Sequence, residues 1–239
     1  MRHPEFVITF LFLLLAGACK HPAKIRESPD TPAVAKTEGS LGAIDFTDPA
    51  YQDLALYAKD TILQDGWVIQ YLVRNDSTKH QDIYLRCGKS QASETYFGAG
   101  LLEVRRYFIP RLEAETKSFL FFGHGCATDC SALLVFSKDS PHSFQNFENV
   151  VGYDPNNAQI LQVTDSSYEH EDRSYDLRLV DLLHGKTHRL TYRNICRGVY
   201  KPACVDTVLF GKSRTLVKTT LERSLGNPEK ISKTRAVDL

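Results

Sequence analysis

The stretch Tyr175-Asp-Leu-Arg-Leu-Val-Asp-Leu-Leu-His-Gly-Lys-Thr-His-Arg-Leu-Thr-Tyr192 decides the fold class. Two arms rich in Leu, Val, Thr and Tyr, 175–183 and 186–192, meet at His184-Gly185. Such side chains suit a pleated, half-buried surface. Glycine at the tip supplies the positive φ that a tight hairpin needs. A second unit of the same kind runs Val205–Phe210, Gly211-Lys212, Ser213–Thr220.

Outward from these hairpins the signals remain β. Trp67–Arg74 follows the turn pair Asp65-Gly66, and Asp82–Cys87 reads as the next strand. Leu101–Ile109, Ser118–Phe122, Ala132–Phe136 and Ala158–Thr164 follow, the last after the turn Asp154-Pro-Asn-Asn157. Long 3.6-residue periodicities are absent, although a short helix is expected within Asp48–Asp60. The reading is a mostly β single domain, an antiparallel β-sandwich, roll or barrel-like fold. A small propeller-like arrangement of hairpins is the alternative, because the tips at Gly185 and Gly211 repeat strand–Gly-Lys–strand.

The N-terminal region differs in kind. Phe6–Ala16 is an apolar run broken only by Thr9, preceded by Arg2 and followed by Gly17-Ala18-Cys19. A membrane-spanning helix needs about 20 apolar residues, so this run fits the apolar region of a cleaved export signal. The small residue directly before Cys19 resembles the lipobox of bacterial lipoproteins. The usual pattern has Leu three places before the Cys; here Ala16 stands there and Leu15 one place further out. The resemblance implies a signal peptide over 1–18 and a diacylglyceryl thioether plus an N-acyl group on Cys19. Several acyl chains anchor stably where one is marginal. Ala16-x-Ala18 also matches ordinary signal cleavage, which would leave a secreted, soluble chain. Residues 19–44 then read as a disordered tether, since the stretch from Lys20 to Gly42 holds three prolines, mixed charges and no aromatic residue. The β-rich domain is expected over 45–225 and a flexible tail over 226–239.

The chain has 29 basic and 29 acidic side chains and no net charge. Loss of Arg2 and Glu5 with the signal leaves it neutral. Without a basic block it lacks the phosphate-neutralising surface of a nucleic-acid binder. The expected partners are the membrane, through Cys19, and an unidentified envelope protein or ligand. No cofactor is expected.

With Cys19 set aside, Cys87, Cys126, Cys130, Cys196 and Cys204 remain. Export would place them where disulfides persist. Local pairing is favoured. Cys196 and Cys204 flank a Gly- and Pro-containing loop whose closure stabilises by about 2–3 kcal/mol in the chain-entropy model, and Cys126 with Cys130 closes a tighter one. Cys87 is then a free, buried thiol; the rival pairing joins Cys87 to Cys126 or Cys130.

Phe121-Phe-Gly-His-Gly-Cys-Ala-Thr-Asp-Cys-Ser131 is the least ordinary segment. A disulfide-stapled turn between core strands is its plainest reading. His124, Cys126 and Cys130 are also the three candidate ligands of a zinc or copper site. A Cys beside His admits thiolate chemistry, but no Cys-x-x-Cys is present. Strand–His–Gly also occurs at oxyanion holes, but the only approach to a nucleophile elbow is Gly88-Lys-Ser90-Gln-Ala92. Gly-Lys-Ser at 88–90 and 211–213 lacks the upstream glycine of a phosphate-binding loop, those places holding Ile83 and Asp206. Tyr168-Glu-His-Glu-Asp172 reads as a solvated turn, and His184 with His188 as hairpin residues. The sequence therefore points to an exported envelope lipoprotein with a non-enzymatic binding or structural domain. The alternative is an exported hydrolase whose active-site residues it does not nominate.

Overall fold

The structure is a computed structural model that describes residues 41–49, 51–74, 83–89, 92–98, 106–127, 130–166, 175–196, 201–224 and 227–239. It is mostly β and entirely antiparallel among those residues. The first sheet holds β1 (Leu41–Ala43), β2 (Thr61–Ile62), β3 (Val68–Arg74), β4 (Ile83–Lys89) and β5 (Ala92–Gly98). The second is β6 (Arg111–Glu115), β7 (Phe119–Ala127), β8 (Cys130–Ser137) and β9 (Ser143–Glu148). The third is β10 (Val150–Asp154), β11 (Gln159–Ser166), β12 (Tyr175–Asp181) and β13 (Lys186–Tyr192). The fourth is β14 (Val205–Leu209), β15 (Arg214–Ser224) and β16 (Asn227–Asp238). The second, third and fourth sheets are each a meander of consecutive strands.

The sheets pack face to face in chain order, which alternation along the strands makes clear. Leu120 and Phe122 of β7 join Trp67, Ile69 and Leu85 of the first sheet in one apolar layer. Phe121, pointing the other way, joins Leu133, Val135 and Phe147 with Val150 and Ile160 of the third sheet. Along β11, Ile160 faces the second sheet while Leu161 and Val163 face Val217, Leu221 and Val237 of the fourth. The second and third sheets are thus apolar on both faces. That explains the unbroken runs Phe119–Phe122 and Ala132–Phe136, where a sheet wet on one face would alternate with polar residues. Phe121, Phe122, Leu134 and Phe136 are each fully buried, and burial of such side chains contributes about 1.5–3 kcal/mol apiece.

The fourth sheet closes this layering on one side. Thr215, Val217 and Thr219 of β15 are buried, while Arg214, Lys218 and, on β16, Thr234 and Ala236 are exposed. Its inner face continues the core and its outer face meets water. The sandwich-like expectation is met as a stack of sheets with no closed barrel.

Several expectations are corrected. Residues 226–239 were expected to form a flexible tail; 227–238 instead form the longest strand, paired with β15 from Asn227↔Ser224 to Asp238↔Arg214. The segment is polar because most of its side chains lie at the surface. What holds it is the backbone ladder, Val237 in the core and the Arg235 guanidinium over the Tyr192 ring, 4.7 Å from its centroid. β1 places ordered chain at 41–43, inside the expected tether. Within 48–60 the helical part is a single 3-10 turn, Gln52–Leu54, whose i→i+3 bonds bury Leu54 without a full apolar stripe. Of the expected strand 101–109, Arg106–Phe108 is a 3-10 turn and 101–105 lies outside the described residues. Gly185 has φ +63° as the hairpin requires, but Gly211 does not share that region. Gly211 is needed for close approach, because a Cβ there would press on the Arg214 carbonyl oxygen.

Truncation after Gly226 tests the role of β16. It removes Val237 and the whole β15 partner ladder, so the urea midpoint should fall by an amount well outside error, with loss of cooperativity. An unchanged midpoint would mean that the segment is a dispensable tail.

Candidate functional site

The end of β7 carries the segment singled out above. His124 and its flanking glycines serve opposite faces of the second sheet. On the side of the third sheet, a bulge in β6 between Leu112 and Ala114 carries Glu113 across Gly123. A Cβ at Gly123 would overlap the Glu113 carboxylate, and one at Gly125 would overlap the Tyr107 ring. The glycines are therefore there for neighbouring side chains. In the space at Gly123, the Tyr153 hydroxyl of β10 donates to Glu113 Oε2 at 2.7 Å, and the Tyr153 ring stacks on Phe121 at 5.8 Å. Burial first, then the bond to the adjacent carboxylate, holds the Tyr153 hydroxyl above the usual phenol range. It is a hydrogen-bond donor at neutral pH and a poor base.

His124 points to the first-sheet side and is half-buried. Its Nδ1 lies 2.8 Å from the Gly125 carbonyl oxygen and its Nε2 lies 3.0 Å from the side-chain amide of Asn146. The Gly125 carbonyl accepts from Nδ1–H, and the atom of Asn146 that faces Nε2 is Oδ1. Both ring nitrogens are occupied, so the ring is held as a packing element.

The cysteines complete this picture. Cys126 and Cys130 are paired, with Cα atoms 5.2 Å apart, and Cys196 and Cys204 are paired at 5.8 Å, both within disulfide range. Cys87 is the free, buried thiol, and burial pushes its pKa far above the usual thiol range. Pairing of Cys126 with Cys130 leaves no thiolate there for a metal or for nucleophilic attack. Among the described residues no group of three metal-ligating side chains comes together. Glu169, His170 and Glu171 lie outside the described residues. Ser90 does too, whereas Lys212-Ser213 sits in the exposed β14–β15 turn. His184 is a hairpin residue whose backbone N–H and Nδ1 both bind the Asp181 carboxylate, at 3.1 and 2.6 Å. Burial raises the Asp181 carboxyl, but the His184 side chain and backbone, with the Leu183 N–H, outweigh it and hold it below the ordinary carboxylate range.

One cluster was missed by sequence reading. Lys138, just after β8, has a side chain only 3% exposed, with Nζ 2.7 Å from Asp65 Oδ2, 2.6 Å from Glu115 Oε1 and 3.0 Å from the Thr116 carbonyl. All three ammonium protons have acceptors. The Asp65 carboxyl is also shifted: burial raises it, but the Lys138 and Trp67 N–H bonds and the charges of Lys138 and Lys89 hold it below the ordinary range. A lone lysine in Phe-Ser-Lys-Asp carries no signal of burial, since its partners lie 73 and 23 positions away.

Two outcomes are expected. Gly123→Ala should displace the Glu113 carboxylate and break its bond with Tyr153, which costs about 0.5–1.5 kcal/mol. In a Glu113→Ala background most of that cost should vanish, because the overlapping group is gone; chemical denaturation of the four-member cycle measures it. Separately, the lowered Asp181 pKa implies stability that is fully present above the unfolded value near 4 and lost as pH falls through the folded one. Wild type should therefore lose stability faster than Asp181→Asn on titration from pH 5 to 2; parallel loss would show that the pair contributes nothing.

Comparison with known proteins finds no family model, no curated protein and no solved structure that matches this chain.

Proposed function

We propose that this protein is an exported, lipid-anchored lipoprotein of a bacterial cell envelope, with Cys19 carrying the anchor and the β domain acting as a non-enzymatic binding or structural module. The observation that carries this reading is the pairing of four of the five downstream cysteines in disulfide geometry. Disulfides persist in oxidising compartments and are rare in the reducing cytosol. A chain whose thiols pair in this way needs a route out, and Phe6–Cys19 has the composition of one. The leftover thiol, Cys87, is buried and inert, which suits a protein exposed to oxidants.

The non-enzymatic half of the proposal rests on the state of the reactive groups. The His124 ring nitrogens are both engaged, Cys126 and Cys130 are consumed by each other, and Tyr153 is a donor to Glu113. Each group that sequence reading nominated for chemistry in this segment has a structural partner. The module faces either side of the membrane to which Cys19 is fixed, and its partner is an envelope protein or ligand met there.

Intact and peptide mass spectrometry of the protein from its native host should show a mature N-terminus at Cys19 bearing diacylglyceryl and N-acyl groups. Cys19→Ser should move the protein from the membrane to the soluble fraction. A mature chain with unmodified Cys19 overturns the anchor and leaves plain secretion; a chain that retains residues 1–18 in the cytosol overturns export.

A further inference from the structure

The Lys138 cluster holds an amine in contact with two carboxyl groups. We propose that Lys138 and Asp65 become joined by an intramolecular isopeptide bond, with Glu115 as the proton carrier and the ion pair as its precursor. The geometry supplies four elements of such a reaction. The first is an enclosed nucleophile, Nζ, on a side chain only 3% exposed. The second is a carboxyl oxygen 2.7 Å away whose partner oxygen, Oδ1, is held by the Trp67 N–H at 3.3 Å, which leaves Oδ2 turned to the amine. The third is a second carboxylate, Glu115, 2.6 Å from the same nitrogen. The fourth is an acceptor for the product, since the Thr116 carbonyl at 3.0 Å takes the one N–H that an amide nitrogen keeps.

The backbones that carry these groups are fixed close by. Trp67 and Phe136, each two residues from a reacting side chain, meet edge to face at 5.2 Å. The Lys138 N–H donates to the Ser118 carbonyl, and the Thr116 N–H to that of Phe119, which holds the β6–β7 turn beside Glu115. Reactants fixed in this way reach effective molarities far above any solution value.

The step balances without a further reagent. Glu115 takes a proton from the Lys138 ammonium and passes it to Asp65 Oδ2, so that a neutral amine meets a neutral carboxyl, and the freed lone pair forms a bond to Asp65 Cγ. The Cγ–Oδ2 bond breaks, and that oxygen leaves with two of the three ammonium protons, relayed by Glu115, as water. The third proton stays on the amide nitrogen. The opposite charges of ammonium and carboxylate cancel, and nothing is oxidised or reduced. Asp65 is 39% exposed, which gives the water a way out. The product ties the β2–β3 turn of the first sheet to the end of β8 in the second.

The test uses purified full-length protein, reduced and denatured so that disulfides do not contribute. A tryptic map should contain a species joining the Asp65 peptide to the Lys138 peptide, about 18 Da lighter than their sum, the mass of one water. Lys138→Arg should abolish that species. Glu115→Gln should abolish or strongly slow it while leaving the β-type circular dichroism unchanged. Free, unlinked Asp65 and Lys138 peptides from wild type overturn the proposal, and that measurement is independent of how any variant folds. A linked species in Glu115→Gln at the wild-type level overturns the role given to Glu115.

Discussion

Burial of the second and third sheets on both faces is the constraint on which the rest depends. A sheet with one wet face can alternate apolar and polar residues, but a sheet inside a stack cannot. Phe121 and Phe122 are neighbours in sequence and lie in different apolar layers, and so do Ile160 and Leu161. Each layer is shared between two sheets, so removing one sheet exposes a face of the next. Consecutive meanders keep most strand pairings local in sequence. Stability across the layers, by contrast, comes from contacts between sheets.

The same constraint explains what was legible in the sequence. Hairpin 175–192 was readable because its turn chemistry and its strand composition agree. The runs at Phe119–Phe122 and Ala132–Phe136 stood out because double burial makes them continuously apolar. β6 (Arg-Leu-Glu-Ala-Glu) and β9 (Ser-Phe-Gln-Asn-Phe-Glu), the edge strands of the second sheet, were not read. They are short and half polar, and their place comes from pairing with β7 and β8. β16 was read as a tail for a related reason. Of its twelve residues, Val237 is the apolar side chain that reaches the core cluster, and long-range backbone pairing with β15 does the remainder. Local disulfides were readable from spacing, because a short loop containing Gly and Pro can close on itself.

The glycine-flanked histidine shows how a sequence feature with the look of chemistry arises from packing. Gly123 and Gly125 leave room for Glu113 and Tyr107 on one face of the sheet, and His124 falls on the other face because strand residues alternate. Residues adjacent in the motif therefore have unrelated neighbours. A helix or loop reading, which puts them in one place, overestimates their cooperation. Lys138 is the opposite case: an ordinary residue in sequence that the fold encloses between two carboxylates.

Apolar burial alone does not fix how stacked sheets sit on one another, since it has no direction. Each interface here also carries hydrogen bonds that do. Between the first sheet and the segment leading into the second, the buried Tyr71 hydroxyl donates to the Pro110 carbonyl at 2.6 Å. Between the second and third, Tyr153 donates to Glu113 and the Ser131 hydroxyl to the Val150 carbonyl, both at 2.7 Å. Between the third and fourth, the buried Gln159 amide donates to the Gly211 carbonyl at 2.9 Å and accepts from the Thr215 hydroxyl at 2.7 Å. A sliding of one sheet by a single residue would keep much of the apolar contact area but break these bonds and leave the buried Tyr71, Gln159 and Thr215 groups without partners in the interior. An orphaned buried group costs about 1–3 kcal/mol, which is comparable with the burial of a whole side chain. The polar ties thus select one stacking register from several of similar apolar area, and the contacts of Lys138 with Asp65 and Glu115 are a further tie between the first and second sheets.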